Sequence, residues 1–115
     1  MKTSLSVVLF ALSAVAAFAQ SSTQGIQGLV TDSTGAVVAG AKVTVTNTGQ
    51  GVTLTTETND SGNYSFPLLL VGNYDVRVEK EGFKTEFVRA LRLETAAQLR
   101  KNFTLAVGNV AESIE

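Results

Sequence analysis

The residues of this sequence that could perform chemistry are few, and most of them carry oxygen. Histidine and cysteine are both absent. Their absence removes the most common general base, the thiol nucleophile and the zinc sites that imidazole or thiolate groups build. The G-x-S-x-G turn that presents a catalytic serine does not occur either. We therefore predict that the chain is not an enzyme and that it has no catalytic residue, cofactor or metal site.

The aspartates leave one catalytic alternative open. Asp32, Asp60 and Asp75 could supply a carboxylate pair for glycoside hydrolysis. Each of them lies in or beside a stretch of turn-forming residues, where an Asp side chain commonly accepts hydrogen bonds from nearby backbone. We therefore expect Asp32 and Asp60 to stabilise their own turns.

A second alternative is a calcium site in the stretch Asn59-Asp60-Ser61-Gly62-Asn63, which is rich in oxygen ligands. This stretch lacks the further acidic positions and the closing glutamate of a calcium loop, so the pattern favours a turn without metal. Asp32, Asn59 and Asp60 remain weak candidates for ligand binding.

A third alternative is a sugar-binding platform formed by Tyr64 and Tyr74, because aromatic faces stack on carbohydrate rings. Both tyrosines alternate with apolar residues, Tyr64 with Phe66 and Tyr74 with Val76. This alternation favours rings that line the core with their hydroxyls at its rim. The two tyrosines complete the set of weak ligand-binding candidates.

The N-terminus has the features of a secretory signal peptide. Met1-Lys2 is a short basic start, an apolar run extends from Leu5 to Ala17, and Ala17-Phe18-Ala19 fits the small-x-small cleavage pattern. The run is short for a membrane span and no basic flank follows it. We predict a cleavable signal-peptide helix at 1–19, a polar lead-in at 20–24, and a mature chain without a membrane span. That chain is exported to the periplasm or outer membrane, or is secreted; the alternative is an uncleaved N-terminal anchor.

The elements that must position these residues are short strands separated by turns. Ala41 to Asn47 has the clearest alternation and is rich in β-branched residues, so Ala41, Val43 and Val45 should face inward. The threonine-rich run 52–58 predicts a strand with one solvent-exposed face. The runs Tyr64 to Phe66 and Tyr74 to Glu79, separated by Gly72-Asn73, predict an amphipathic hairpin.

The run Glu86 to Glu94 is ambiguous, because its apolar residues fit either a helical stripe or a strand with Arg89 on the wrong face. We predict a strand because its neighbours are strands. Pro67 should mark the end of its strand or a sheet edge. Strands at 26–31 and 99–105 complete a seven-stranded antiparallel β-sandwich over 25–106, and 107–115 is predicted to be a tail or linker.

The charge pattern argues against nucleic acid as a partner. The formal net charge is −1, and lysine and arginine are scattered among the acidic residues. No basic patch is therefore available for a phosphate backbone.

Several stretches, taken in order, resemble the carboxypeptidase regulatory-like domain. They are Gly28 to Gly35, Gly40 to Val45, Thr58 to Phe66, Gly72 to Val76, and Gly82-Phe83. The resemblance implies a transthyretin-like sandwich, also described as a carbohydrate-binding-like or immunoglobulin-like fold. The sequence departs from the family pattern at Ala39 and Val71, where proline is common before the glycine.

The order of signal peptide, domain and tail also resembles the N-terminus of large TonB-dependent outer-membrane receptors of the Oar-like kind. This resemblance implies an exported accessory module whose partner is another protein or the rest of a receptor chain. The alternative is a free-standing secreted module that binds carbohydrate or a surface polymer.

Overall fold

The computed structural model describes residues 23–108. The predicted signal peptide at 1–19 lies outside these residues. The described part contains eight strands and no helix. They are β1 (Gln24–Asp32), β2 (Lys42–Asn47), β3 (Val52–Glu57), β4 (Asn63–Leu69), β5 (Gly72–Glu79), β6 (Glu86–Leu93), β7 (Gln98–Arg100) and β8 (Phe103–Leu105). Between residues 23 and 108 no helix is long and apolar enough to cross a membrane.

The strands form two sheets that face each other. One sheet has β1 at its centre, with β4 on one side and both β7 and β8 on the other. The second sheet has the order β3-β2-β5-β6. The all-β sandwich prediction is therefore confirmed. The second sheet is antiparallel throughout, whereas β7 and β8 run parallel to β1.

The core lies between the sheets and is built by alternation along each strand. Val43 and Val45 of β2, and Val76 and Val78 of β5, are completely buried, as the period-two pattern predicts. The polar residues that alternate with them on β2 lie on the outer face. The buried apolar residues are Ile26, Val30, Val38, Ala41, Val43, Val45, Tyr64, Phe66, Leu69, Tyr74, Val76, Val78, Leu93, Phe103 and Leu105.

The predicted hairpin between residues 64 and 79 is wrong. β4 pairs with β1 and β5 pairs with β2 and β6, so the chain crosses from one sheet to the other at Leu70-Val71. Both strands do bury their predicted apolar faces, but they bury them from opposite sides of the core. Alternation identifies the inward residues of a strand, whereas it does not identify the strand's neighbour.

The strand predicted at 99–105 is divided in two, which gives eight strands instead of seven. The Lys101 backbone N–H donates to the Gln27 carbonyl (2.8 Å), and the Asn102 side chain accepts from the Leu29 N–H (2.9 Å). A β-carbon at Gly28 would lie 1.9 Å from the Lys101 carbonyl oxygen. Gly28 therefore lets the backbone at Lys101 pass directly over β1.

The region 86–94 is a strand, as predicted, with an irregularity that explains its ambiguous pattern. The register of β6 against β5 shifts between the pairs Tyr74↔Leu91 and Val76↔Val88. Ala90 lies in this shift with a φ of 56°, and its N–H donates to the Asp75 carboxylate (3.0 Å). The extra residue places both Val88 and Leu91 against the core, which strict alternation would not allow.

Pro67 does not end its strand, because β4 continues to Leu69. Its strand does lie at a sheet edge, as the alternative prediction required. At the other end of the chain, Val107 forms a bridge with Phe83 and the Gly108 N–H donates to Gly82 (3.1 Å). The predicted tail therefore begins with residues attached to the domain, and its remainder, 109–115, lies outside the described residues.

Candidate functional site

Asp32 stabilises the turn that follows β1. One carboxylate oxygen accepts hydrogen bonds from the Thr34 N–H (2.9 Å), the Thr34 hydroxyl (2.7 Å) and the Ala36 N–H (3.1 Å). These bonds, led by the Thr34 hydroxyl, hold the pKa of Asp32 below its ordinary value of 3.8. The carboxylate is therefore ionised at neutral pH and engaged by its own turn.

Asn59, rather than Asp60, organises the turn before β4. The Asn59 side-chain oxygen accepts from the backbone N–H groups of Ser61 (2.9 Å) and Asn63 (3.0 Å). Gly62 closes the turn with a φ of 80° and donates to the Asn59 carbonyl (2.8 Å). In the described part of the chain no group of three or more acidic residues is arranged to hold a metal ion.

Tyr64 and Tyr74 have buried rings, each 3% exposed. The Tyr64 hydroxyl donates to the Lys101 carbonyl (2.5 Å) and the Tyr74 hydroxyl to the Leu70 carbonyl (2.8 Å). Burial raises the pKa of Tyr64 well above its ordinary value of 10.0, so this phenol remains a donor. Neither ring presents a face on which a sugar could stack.

The five candidate residues do not form one site. The turns of Asp32 and Asn59 are neighbours, because the Val30 N–H donates to the Gly62 carbonyl (2.8 Å). We call the turns 32–36 and 59–62 the turn end of the sandwich. Tyr74 lies at the opposite end, where it pairs with Asn47. The turn end is held by hydrogen bonds within the domain, as the sequence predicts for Asp32.

The outer face of the second sheet carries a groove that the sequence analysis did not identify. Its volume is about 460 Å³, and its lining is formed by Lys42, Thr44, Thr46, Asp75, Arg77, Glu79 and Phe87. Phe87 is half-buried, and the guanidinium carbons of Arg77 and Arg89 lie 5.4 Å and 4.9 Å from its ring centroid. These cation–π contacts hold the two arginines over the ring.

The second surface is an apolar cleft at the open side of the sandwich, between the edge strands β3 and β4. Val52 and Leu54 pair with buried positions of β2 and therefore point toward the core side, yet β4 leaves them half exposed. Leu68 is 70% exposed and Leu70 is 58% exposed. We call the cleft lined by Val52, Leu54, Leu68 and Leu70 the seam; its volume is about 90 Å³.

The seam borders a strand that offers free backbone groups. Among the strands of residues 23–108, β3 pairs only with β2, and it contains neither proline nor lysine. Proline and lysine are common devices by which edge strands avoid pairing with other chains. Val71, next in the chain to Leu70, is also half exposed and enlarges the apolar surface. Contiguous apolar surface of this kind marks interaction sites more often than scattered single residues do.

Comparison with known proteins agrees with this architecture. The sequence profile of the carboxypeptidase regulatory-like domain matches residues 25–106. The TonB-dependent transporter Oar of Myxococcus xanthus is 40% identical over 104 residues, which cover 86% of this chain and 10% of the transporter. The chain thus spans about a tenth of the length of that relative.

Solved structures share the fold at low sequence identity. A protein from Bacteroides uniformis, provisionally assigned to carbohydrate binding, is 22% identical with a TM-score of 0.60 over 74% of this chain and 42% of its own. Catechol 1,2-dioxygenase of Acinetobacter radioresistens is 13% identical with a TM-score of 0.62 over 82% of this chain and 56% of its own. Such likenesses concern the fold alone. The profile match over residues 25–106 shows that this chain belongs to the carboxypeptidase regulatory-like domain family.

Proposed function

We propose that this chain is a non-catalytic, exported module that packs against another protein, as the N-terminal periplasmic extension of a TonB-dependent outer-membrane receptor. The observation that carries the proposal is the 40% identity to the transporter Oar over most of this chain. The seam supports it from the structure, because it joins an unprotected edge strand to exposed leucines.

The physical basis of the interaction is burial of the seam. Four apolar side chains that are now exposed to solvent would be buried together. Each would contribute to the binding free energy in proportion to the apolar area that is removed from water. The free N–H and C=O groups of β3 can at the same time extend the sheet with a strand of the partner. The partner surface should therefore be an extended segment with apolar residues at alternate positions.

Site-specific photo-crosslinking tests this proposal. A photoreactive residue at Leu68, in the seam, should form an adduct in the exported chain, and the attached peptide should map to the plug or barrel of the same receptor. The same residue at Thr55, which is exposed on the outer face, is the matched control and should form little adduct. Equal adducts from both positions would contradict the seam as the interface.

The reading frame supplies an independent test of the receptor assignment. The codons after Glu115 should continue into a plug domain and a barrel. A stop codon at that point, together with a mature chain recovered from the periplasm, would contradict the receptor version.

The outer groove favours a second candidate function, binding of carbohydrate or another surface polymer. Hydroxyl, carboxylate, ammonium and guanidinium groups surround Phe87 there, and such groups match the hydroxyls of a sugar. Binding on a glycan array that Phe87→Ala removes would support this function. Absence of binding to every glycan on the array would exclude carbohydrate binding, because the tyrosines are buried and cannot substitute for Phe87.

A further inference from the structure

The sequence contains three tripeptides of the form Asn-x-Ser or Asn-x-Thr, the acceptor pattern for N-linked glycans in exported proteins. They are Asn59-Asp60-Ser61, Asn63-Tyr64-Ser65 and Asn102-Phe103-Thr104. A transferase must reach the asparagine and the hydroxyl residue together. The folded domain can therefore serve as an acceptor only where the whole tripeptide is accessible.

Two of the three tripeptides are anchored through their middle residue. Tyr64 is 3% exposed and its hydroxyl donates to the Lys101 carbonyl, while Phe103 is 5% exposed. The rings of Tyr64 and Phe103 also contact each other, with centroids 6.3 Å apart. A transferase could bind either tripeptide only by pulling an aromatic ring out of the core. Asn102 is further held by the Leu29 N–H, which donates to its side-chain oxygen.

The tripeptide at Asn59 has no buried middle residue, because Asp60 is exposed. Asn59, Asp60 and Ser61 are all exposed and lie in a turn between β3 and β4. The N–H groups of Ser61 and Asn63 both donate to the Asn59 side-chain oxygen, so the turn uses the oxygen of this carboxamide and not its nitrogen. Donation to the oxygen also withdraws electron density from the carboxamide and makes its N–H protons more acidic.

We infer that Asn59 is an acceptor site for an N-linked glycan. In the reaction the Asn59 Nδ2 forms a bond to the anomeric carbon of an oligosaccharide, and the bond from that carbon to a lipid diphosphate breaks. The lipid diphosphate leaves with the electron pair, and the proton lost from Nδ2 passes to a base of the transferase. The co-substrate is thus a lipid-diphosphate-linked oligosaccharide, and no oxidant or reductant is required.

The location of Asn59 is compatible with the proposed protein interface. β3 runs from Val52, at the seam, to Glu57, and Asn59 follows at the turn end. β4 returns from Asn63 to Leu69 beside the seam. A glycan at Asn59 would therefore project from the end of the sandwich opposite the seam. The inference rests on the export part of the proposed function and is independent of the partner.

In vitro transfer to the folded chain tests the site. The full exported chain, purified in folded form from a host without glycosylation, is incubated with an oligosaccharyltransferase and its lipid-linked donor. Intact mass and peptide mapping should show one glycan, on Asn59. Ser61→Ala should reduce transfer at least tenfold, whereas the matched variants Ser65→Ala and Thr104→Ala should leave it unchanged. Absence of transfer, or transfer that Ser61→Ala leaves intact, would overturn the inference.

Two further measurements separate this inference from the proposed function. Heat-unfolded chain should accept glycans at Asn63 and Asn102 as well, because their middle residues are then released; modification of those sites in the folded chain would count against the structural argument. The exported chain recovered from its own organism should carry the same mass increment, and an unmodified exported chain would overturn the inference. A chain that is not exported would instead contradict the proposed function.

Discussion

The two ends of the sandwich use their unusual residues in opposite ways. At the turn end, Asp32 and Asn59 resemble ligand or catalytic groups in the sequence, but their side chains bind their own backbone. At the seam, leucines that resemble core residues in the sequence are left in water. The polar residues of the turn end therefore contribute to structure, whereas the apolar residues of the seam are exposed and available for interaction.

The difference follows from what each residue type gains locally. A turn contains backbone N–H groups that lack partners in a ladder, and an adjacent Asp or Asn oxygen satisfies them. The inward-facing apolar residues of an edge strand are buried only where the opposite sheet is wide enough to cover them. Here the cleft between β3 and β4 is not filled by other side chains, and Leu54 and Leu68 stay exposed.

Among the variants that compare the turn end with the seam, the largest effect is expected at the glycines of the turn end. A β-carbon at Gly62 would lie 2.9 Å from the Val30 carbonyl oxygen, whereas one at Gly35 has no neighbour within 4 Å; both residues have positive φ. We expect Gly62→Ala to lower the free energy of unfolding by about 3 kcal/mol and Gly35→Ala by about 1 kcal/mol. Urea unfolding measures both values. Equal losses would mean that Gly62 is required only for its positive φ and not for its close approach to Val30.

Thr58, which directly precedes the turn at 59–62, tests whether a buried polar residue beside the turn end is structural. Its hydroxyl donates to the Val38 carbonyl (2.7 Å) and accepts from the Ala41 N–H (2.8 Å). Thr58→Val leaves both buried backbone groups unpaired and should cost about 2 kcal/mol. The matched control is Thr55→Val, on the exposed part of β3, which should change stability by less than about 0.5 kcal/mol. Similar losses for the two variants in thermal unfolding would contradict the distinction.

The Asp32 carboxylate should make a small, pH-dependent contribution. Its pKa is lower in the folded chain than the ordinary value of 3.8, so its stabilisation is present above that pH and is lost as the pH falls through the folded pKa. Asp32→Asn keeps an oxygen acceptor and removes the charge. The melting temperature of the wild type should exceed that of the variant near neutral pH, and the difference should vanish in acid. A difference independent of pH would exclude the charge as its cause.

The smallest effect on stability is expected at the seam. The test is a double variant that carries Leu68→Ser and Leu70→Ser. Both side chains are mostly exposed, so each of the two substitutions should contribute less than about 0.5 kcal/mol to the change in the free energy of unfolding. Because Leu68 is substituted in this variant, the photoreactive residue is placed at Val52, which also lines the seam. The crosslinked adduct should nevertheless be lost, because the apolar contact is removed. A large loss of stability would mean that the seam belongs to the core, and an intact adduct would remove it from the interface.

Much of the fold could be predicted from alternation and turn chemistry. Val43, Val45, Val76 and Val78 are buried as the pattern indicates, and Asp32 stabilises its turn. The bulge at Ala90 could not be predicted, because one inserted residue shifts the phase of the pattern without leaving a signature of its own. The candidate surfaces were also missed, since exposure at Leu68 or Phe87 depends on which strand lies opposite.

Local sequence by itself determined which residues point inward and where the chain turns, because both follow from preferences of one or a few neighbouring residues. Only the tertiary structure decided that β4 and β5 belong to different sheets, that Lys101 crosses over Gly28, and that the leucines beside β3 remain exposed. These outcomes depend on contacts between residues far apart in the chain, and the period of a single strand carries no information about its partner.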